Sequence, residues 1–321
     1  MDILFLGTSS GTPTKERNVT AIALIEQQSK NWYLIDCGEG TQQQLLHTRL
    51  SLATLRGVFI THVHGDHCYG LPGLLASAGM QGRSDALPIV APKGIAEWIA
   101  AVQQHTQLHL PYALEWQPVE RLTALNLGTV QITTTPLSHR VPSYAYQFTE
   151  QQPRNRLDIE KLERDKITKG PLWGELQRGI DVKIDGRQVS AADYVTAALP
   201  RSIIVAGDND QPQLLAEAAK SCQVLVHEAT FSQPLALKIG AQFGHSSAQQ
   251  VAIFAEQAKI ANLLLTHISP RYQSNPNRRP ALVEIEQEAK AHYHGRLFIA
   301  EDFSRYRLTT GGELIAVAQI R

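Results

Sequence analysis

Apolar residues in this chain arrive in short bursts. In the N-terminal half the bursts are ILFL (3–6), TAIALI (20–25), WYLID (32–36), GVFIT (57–61) and PIVA (88–91), each bounded by Gly, Pro, Asn or charge. Runs of this length with such boundaries predict buried strands. Longer mixed stretches, EGTQQQLLHT (39–48) and GIAEWIAAVQQHT (94–106), follow two of them and read as helices. The pattern breaks after Tyr146. Residues from about 151 to about 194 are charge-rich and read as an exposed excursion with a helical piece, too charged for a core. From Ser202 strand and helix alternate again: SIIVAGD, PQLLAEAAKS, QVLVHEAT, SSAQQVAIFAEQA, NLLLTHIS, PALVEIEQEAKAHY and LFIAED. The expected fold is α/β, with helices covering strongly buried sheets and a single domain over residues 1–321 interrupted by the 151–194 insertion.

Composition narrows the picture only slightly. The chain has 321 residues, 43% hydrophobic and 19% charged, with 30 basic against 30 acidic residues. That suits a packed globular protein and leaves no global electrostatic footprint for nucleic acid. Cys37, Cys68 and Cys222 form no CxxC pair or disulfide framework, which fits a reducing compartment. No apolar run approaches the roughly 20 residues of a membrane span, and the N-terminus does not read as a signal peptide. A cytoplasmic protein without a membrane partner is expected.

Candidate chemistry gathers where strands end. GVFIT leads into His62, His64, Asp66 and His67, which a glycine-rich turn is expected to follow; VQITTTPLS leads into His139; SIIVAG into Asp208; NLLLT into His267. In α/β folds ligands bind in the crevice outside the carboxyl ends of strands. Imidazole and carboxylate without paired thiols suit zinc or a similar first-row dication, with manganese, iron or cobalt as substitutes. The set has the size of two ions sharing one carboxylate. His62, His64 and His139 are assigned to one ion, Asp66, His67 and His267 to the other, and Asp208 bridges them. Two such cations would lower the pKa of a shared water and stabilise charge on a phosphoryl oxygen. His105, His109, His292 and His294 lack this context and are expected at the surface or in the core. Cys68 is expected to be a buried thiol.

The H-x-H-x-D-H string resembles the metallo-β-lactamase superfamily, which implies an αββα four-layer sandwich with two metals at its edge. Other stretches resemble the ribonuclease Z family in its short form. GTPTKERN, with Pro13, Lys15, Arg17 and Asn18, looks like the family's P-x-K-x-R-N motif. DCGEGTQQQLLH, HEATF, GHSSAQQ and FIAEDFS look like further motifs in the family's order, with Ser247 where threonine is frequent. GPLWGELQRG resembles part of a protruding tRNA-binding arm. The resemblance implies a metal-dependent endoribonuclease that removes the 3′ trailer from precursor tRNA, leaving a 3′-hydroxyl on the tRNA and a 5′-phosphate on the trailer. It also implies a homodimer in which one subunit's arm clamps tRNA for the other, Asp66 as the base for the attacking water, and Lys15, Arg17 and Asn18 as substrate contacts. No organic cofactor is expected.

For the proton owed to the leaving oxygen, His245 is the candidate acid, with Glu228 orienting it. His227 lies inside a strand and is expected in the core. The basic residues of the insertion, Arg154, Arg156, Lys161, Arg164, Lys166, Lys169, Arg178, Lys183 and Arg187, are candidates for gripping RNA backbone, although acidic residues nearly match them. Two other functions are compatible with a metal centre of this kind: hydrolysis of a small ester, thioester or sulfate, and a purely structural RNA-binding subunit.

Overall fold

The computed structural model describes residues 1–318 except Gln28, Gln152, Arg154 and Asp185. Two large sheets form the frame. The first has eight strands, running from the edge strand Leu314–Val317 through Arg305–Leu308, Asp2–Gly7, Ala21–Ile25, Trp32–Ile35, Leu55–Phe59 and Leu87–Ala91 to Leu114–Pro118. The second has seven, from Arg296–Ile299 through Asn262–Thr266, Val224–Glu228, Ser202–Ala206, Ser143–Glu150 and Val130–Leu137 to Leu125–Leu127.

Alternation along the strands builds the layers. Phe5, Ile22, Tyr33 and Phe59 from the first sheet meet Tyr146, Phe148, Val226 and Leu264 from the second in one buried core. Phe59 anchors it, 5.3 Å from the Tyr146 ring centroid and 5.1 Å from that of Phe148, spacings typical of favourable edge-to-face pairs. The opposite faces are buried under helices. Leu4, Leu34, Val58 and Ile89 pack with Leu71, Leu74, Leu75 and Ile99; Ile204, Leu225 and Leu265 pack with Val251, Phe254 and Ile285. The expected four layers, helix–sheet–sheet–helix, are therefore present.

The sequence HCYGLPGLLASAGM, read as leading into a glycine-rich turn, instead carries the helix Leu71–Met80. Its buried positions Leu71, Leu74, Leu75 and Ala78 keep helical spacing, and proline occupies the first turn, where its missing N–H costs nothing. Gly70 serves packing: a Cβ there would lie 2.1 Å from the Gly38 carbonyl oxygen.

The insertion corrects a second expectation. Its elements run from Arg156–Leu157 to Val195–Thr196, which pair with each other, two residues past the expected end at 194. It holds the helices Ile159–Arg164 and Pro171–Gln177 and the hairpin Val182–Ile184/Arg187–Val189. Although rich in charge, it has its own core of Leu162, Ile167, Trp173, Leu176, Val182, Val189 and Tyr194. Trp173 is packed rather than displayed, 8% exposed, with its indole N–H donated to the Ile167 carbonyl at 3.2 Å. The charges lie on the outside: Arg156, Arg164, Lys166, Lys169, Arg178, Lys183 and Arg187 are exposed, while Lys161 bonds the Asp193 carbonyl and sits 5.0 Å from the Tyr194 ring. Arg154 lies outside the described residues. Where the arm leaves the body, the Glu150 N–H donates to the Arg201 carbonyl at 2.9 Å and Arg201 forms an ion pair with Glu150 at 2.7 Å.

Candidate metal centre

The seven proposed ligands converge although they span more than two hundred residues. Their donor atoms fall into two sets around Asp208. Asp208 Oδ2 lies 3.6 Å from His62 Nε2 and 3.8 Å from His139 Nε2; His64 Nδ1 completes that set, 3.1 Å from His62 Nε2 and 3.2 Å from His139 Nε2. Asp208 Oδ1 lies 3.5 Å from His67 Nε2 and 3.4 Å from His267 Nε2; Asp66 Oδ2 completes the second set at 3.5 Å and 3.4 Å from the same nitrogens. A tetrahedral ion bonded at about 2.0–2.1 Å holds its ligand atoms roughly 3.3 Å apart. The donor chemistry and the spacing therefore fit two cations, each facing one oxygen of Asp208.

The orientation of four of the five imidazoles, those of His62, His67, His139 and His267, is fixed from behind. Asp36 accepts from the Thr61 N–H at 2.7 Å, from the Thr61 hydroxyl at 2.8 Å and from His67 Nδ1 at 2.7 Å. With its proton given to Asp36, the Thr61 hydroxyl accepts from His62 Nδ1 at 3.0 Å. His139 Nδ1 donates to the Gly244 carbonyl at 2.7 Å. Thr230 donates to Glu228 Oε2 and accepts from His267 Nδ1 at 3.0 Å. Each of these rings thus donates from Nδ1 and turns Nε2 to the centre, the arrangement that sets tautomer and basicity in metal sites. Backbone strain gathers here too. Asp36 and His267 have φ of 57° and 56°, a region that costs a side-chain-bearing residue about 1–2 kcal/mol.

Electrostatics point the same way. Burial, then the facing His67 and His139, hold His62 well below its ordinary pKa, so it is neutral and ready to ligate. His67 behaves oppositely: burial lowers it, but Asp66, Asp208 and Asp36 outweigh that and raise it to about 10. Without a metal, the clustered carboxylates draw a proton onto His67, and a dication would replace that proton.

His245 stands at the edge of the cluster, its ring centroid 5.1 Å from that of His139 and 5.5 Å from that of His267. Its Nδ1 lies 3.0 Å from Glu228 Oε2 and 3.7 Å from Asp208 Oδ2. Burial lowers its pKa, but the Glu228 charge and hydrogen bond, with Asp208, raise it to about 9. Buried Glu228 is held low by the same contact. The pair is an imidazolium–carboxylate unit with Nε2 left for a ligand. Ser247, not His245, caps the helix Ala248–Gln257.

The model of the β-lactamase superfamily domain matches residues 31–157. Ribonuclease Z of Pseudomonas putida (strain W619) is 53% identical over 321 residues, 100% of both chains. The chain belongs to the ribonuclease Z family. Ribonuclease Z of Bacillus subtilis (strain 168) is 38% identical over 293 residues, 90% of this chain and 93% of that one. The crystal structure of the short form of human tRNase Z superposes with a TM-score of 0.65 at 23% identity, covering 95% of this chain and 98% of that chain, a likeness of fold.

In this ribonuclease Z family member the P-x-K-x-R-N stretch has a structural job that the motif alone did not reveal. Arg17 Nη1 donates to the Ala300 carbonyl at 2.6 Å and to the Thr8 hydroxyl at 2.7 Å. The Asn18 N–H donates to Asp302 Oδ2 at 2.7 Å, and its side-chain amide donates to the Glu39 carbonyl at 2.9 Å. Of the three expected substrate contacts, only Lys15 is fully exposed. The anchored loop delivers the Gly11 N–H to Asp66 Oδ2 at 2.7 Å. Asp36, Thr61, Thr230 and Asp302 carry positioning roles that sequence reasoning did not assign. His227 is buried and bonded to Asn209, as expected of a core residue. Cys68 is a buried thiol, its pKa pushed by burial up to about 12.

Proposed function

We propose that this chain is a dimetal endoribonuclease that removes the 3′ trailer from precursor tRNA, releasing tRNA with a 3′-hydroxyl and a trailer with a 5′-phosphate. As a member of the ribonuclease Z family it is a phosphodiester-hydrolysing endoribonuclease. The observation that carries the mechanistic reading is the position of Asp208, with one oxygen toward each of two ligand sets.

His62, His64 and His139 would hold one ion and Asp66, His67 and His267 the other, with Asp208 shared between the two sets. Such ions, zinc by the donor set, would supply a water acidic enough to attack near neutral pH and a counter-charge for the phosphoryl oxygens. Asp66, steadied by the Gly11 N–H, orients the attacking water and takes its proton. The P–O3′ bond breaks opposite the attack. His245 donates a proton from Nε2 to the departing O3′, and Glu228 holds the imidazolium in place and sustains its charge. Lys15 contacts substrate phosphate from the rim, while Arg17 and Asn18 act by shaping its loop.

The arm is the second binding element. Its outward Arg and Lys side chains form no ion pair among the described residues and remain available to RNA backbone. The working unit is a homodimer in which one subunit's arm grips tRNA for the other's metal centre. No organic cofactor takes part. No helix among the described residues is long and apolar enough to cross a membrane, and the reading places the protein in the cytoplasm with its substrate.

The test is incubation of metal-loaded protein with a 3′-extended precursor tRNA, mapping ends with and without chelator. A single cut at the trailer junction, with the stated ends and lost on chelation, is expected. Intact precursor, or a cut insensitive to chelator, contradicts the proposal.

A further inference from the structure

A recess of about 230 Å³ adjoins His245, walled in part by Phe231, Phe243, Asp210, Gln233 and Gln250. It is smaller than the about 300 Å³ at which drug-sized sites begin, and its chemistry is unusual for a crevice of that size. Phe231 meets the His245 ring edge-on, 6.0 Å between centroids. Phe243 is 41% exposed, which leaves ring surface open beside the recess. Arg140 lies 6.0 Å from the Phe243 ring, adding a cation beside the recess.

The polar groups are more telling. Asp210 Oδ1 is buried with no hydrogen-bond partner among the described residues, and a buried acceptor left unpaired costs about 1–3 kcal/mol. Gln233 and Gln250 are oriented by one residue. Gln233 Oε1 accepts from the Ser247 hydroxyl at 2.5 Å, and Gln250 Oε1 accepts from the Ser247 N–H at 2.9 Å. Both amide oxygens are thereby committed, and both NH₂ groups are left as donors with no partner among the described residues. The recess offers aromatic surface and two oriented donors, with the orphaned Asp210 acceptor buried in its wall. A planar heterocycle carrying N–H donors and carbonyl or ring-nitrogen acceptors complements that combination.

Position says which heterocycle. The inference rests on the mechanism above, in which His245 protonates the departing O3′. That oxygen belongs to the nucleotide on the 5′ side of the cut, so the base of that nucleotide is the one carried alongside His245. We propose that this recess is a nucleobase subsite that receives the base of the last nucleotide retained in the tRNA, stacked against Phe243 and read by Asp210, Gln233 and Gln250. The subsite places O3′ against His245 and gives the enzyme a preference among bases at that position.

The experiment uses the metal-loaded full-length protein and five precursor tRNAs carrying A, C, G, U or no base at the last retained position, comparing wild type, Phe243→Ala and Asp210→Ala by kcat/KM. Phe243→Ala should lose roughly ten-fold on the four natural substrates, the size of a lost base–aromatic stack, and less than about two-fold on the abasic one. Asp210→Ala should compress the differences among the four bases. Equal losses with and without a base, in a wild type that cuts all five, overturn the subsite and leave the proposed function standing. A wild type that cuts none of them overturns the proposed function as well.

Discussion

The metal-facing side chains are drawn from positions between His62 and His267, whereas the arm's buried side chains all fall between Leu162 and Tyr194. The two regions are held by different physics. The centre exists because strands from two sheets end at one crevice, so its geometry is as rigid as the sandwich core of Phe59, Tyr146 and Phe148. The arm is a local unit, two short helices, one hairpin and a two-stranded pair at its base, with one tryptophan in its core. It joins the body through two antiparallel neighbours, Ser143–Glu150 and Ser202–Ala206, which pair directly with each other. On the proposed reading, chemistry sits on the sandwich and substrate gripping on a separately packed insertion.

The contrast can be broken from either side. The largest effect belongs to Asp208→Ala: it removes the shared ligand and should cut tRNA processing by about 10³-fold or more, with the folded circular-dichroism spectrum retained. Next is His245→Ala, expected to slow single-turnover cleavage about 10²–10³-fold while metal content by plasma mass spectrometry is unchanged. Metal loss in this variant would make His245 a ligand instead. The pH profile sharpens this. His245 is raised to about 9 and on the proposed mechanism acts protonated, so the rate should fall as pH rises through its pKa. Glu228→Gln removes the main raising influence, and the alkaline limb should move to lower pH.

Replacing 151–200 by a short glycine linker should weaken precursor tRNA binding by about ten- to a hundred-fold and flatten its salt dependence. Hydrolysis of bis(p-nitrophenyl) phosphate should survive; equal loss of both activities would mean that the arm supports the body. The smallest effect on the body is expected from Trp173→Ala. Truncating a packed tryptophan costs about 3–5 kcal/mol, enough to loosen the arm's core, yet the main thermal transition should shift by little because that core is separate. A large shift in that transition would join the two units into one.

The same contrast explains what could be read from the sequence. The H-x-H-x-D-H string and the lone ligands His139, Asp208 and His267 were legible because each ends an apolar strand. The groups that orient them were not. Asp36, Thr61 and Thr230 carry no motif of their own in the sequence, and only the folded chain shows Asp36 serving both His67 and Thr61. Arg17 was expected at substrate because its stretch resembles the P-x-K-x-R-N motif; its hydrogen bonds to the Ala300 carbonyl and the Thr8 hydroxyl appear only in the folded chain. The helix Leu71–Met80 was hidden by glycines that allow close packing, and the arm's core by the charges on its outer face.

The central claim is a pair of cations that share Asp208. Metal analysis of the chromatographed protein beside Asp208→Ala tests it most directly. The account predicts about two ions per chain in the wild type and a marked loss in the variant, in step with cleavage activity. A wild type that processes precursor tRNA at full rate with one ion or none, or an Asp208→Ala protein that keeps both, would contradict it.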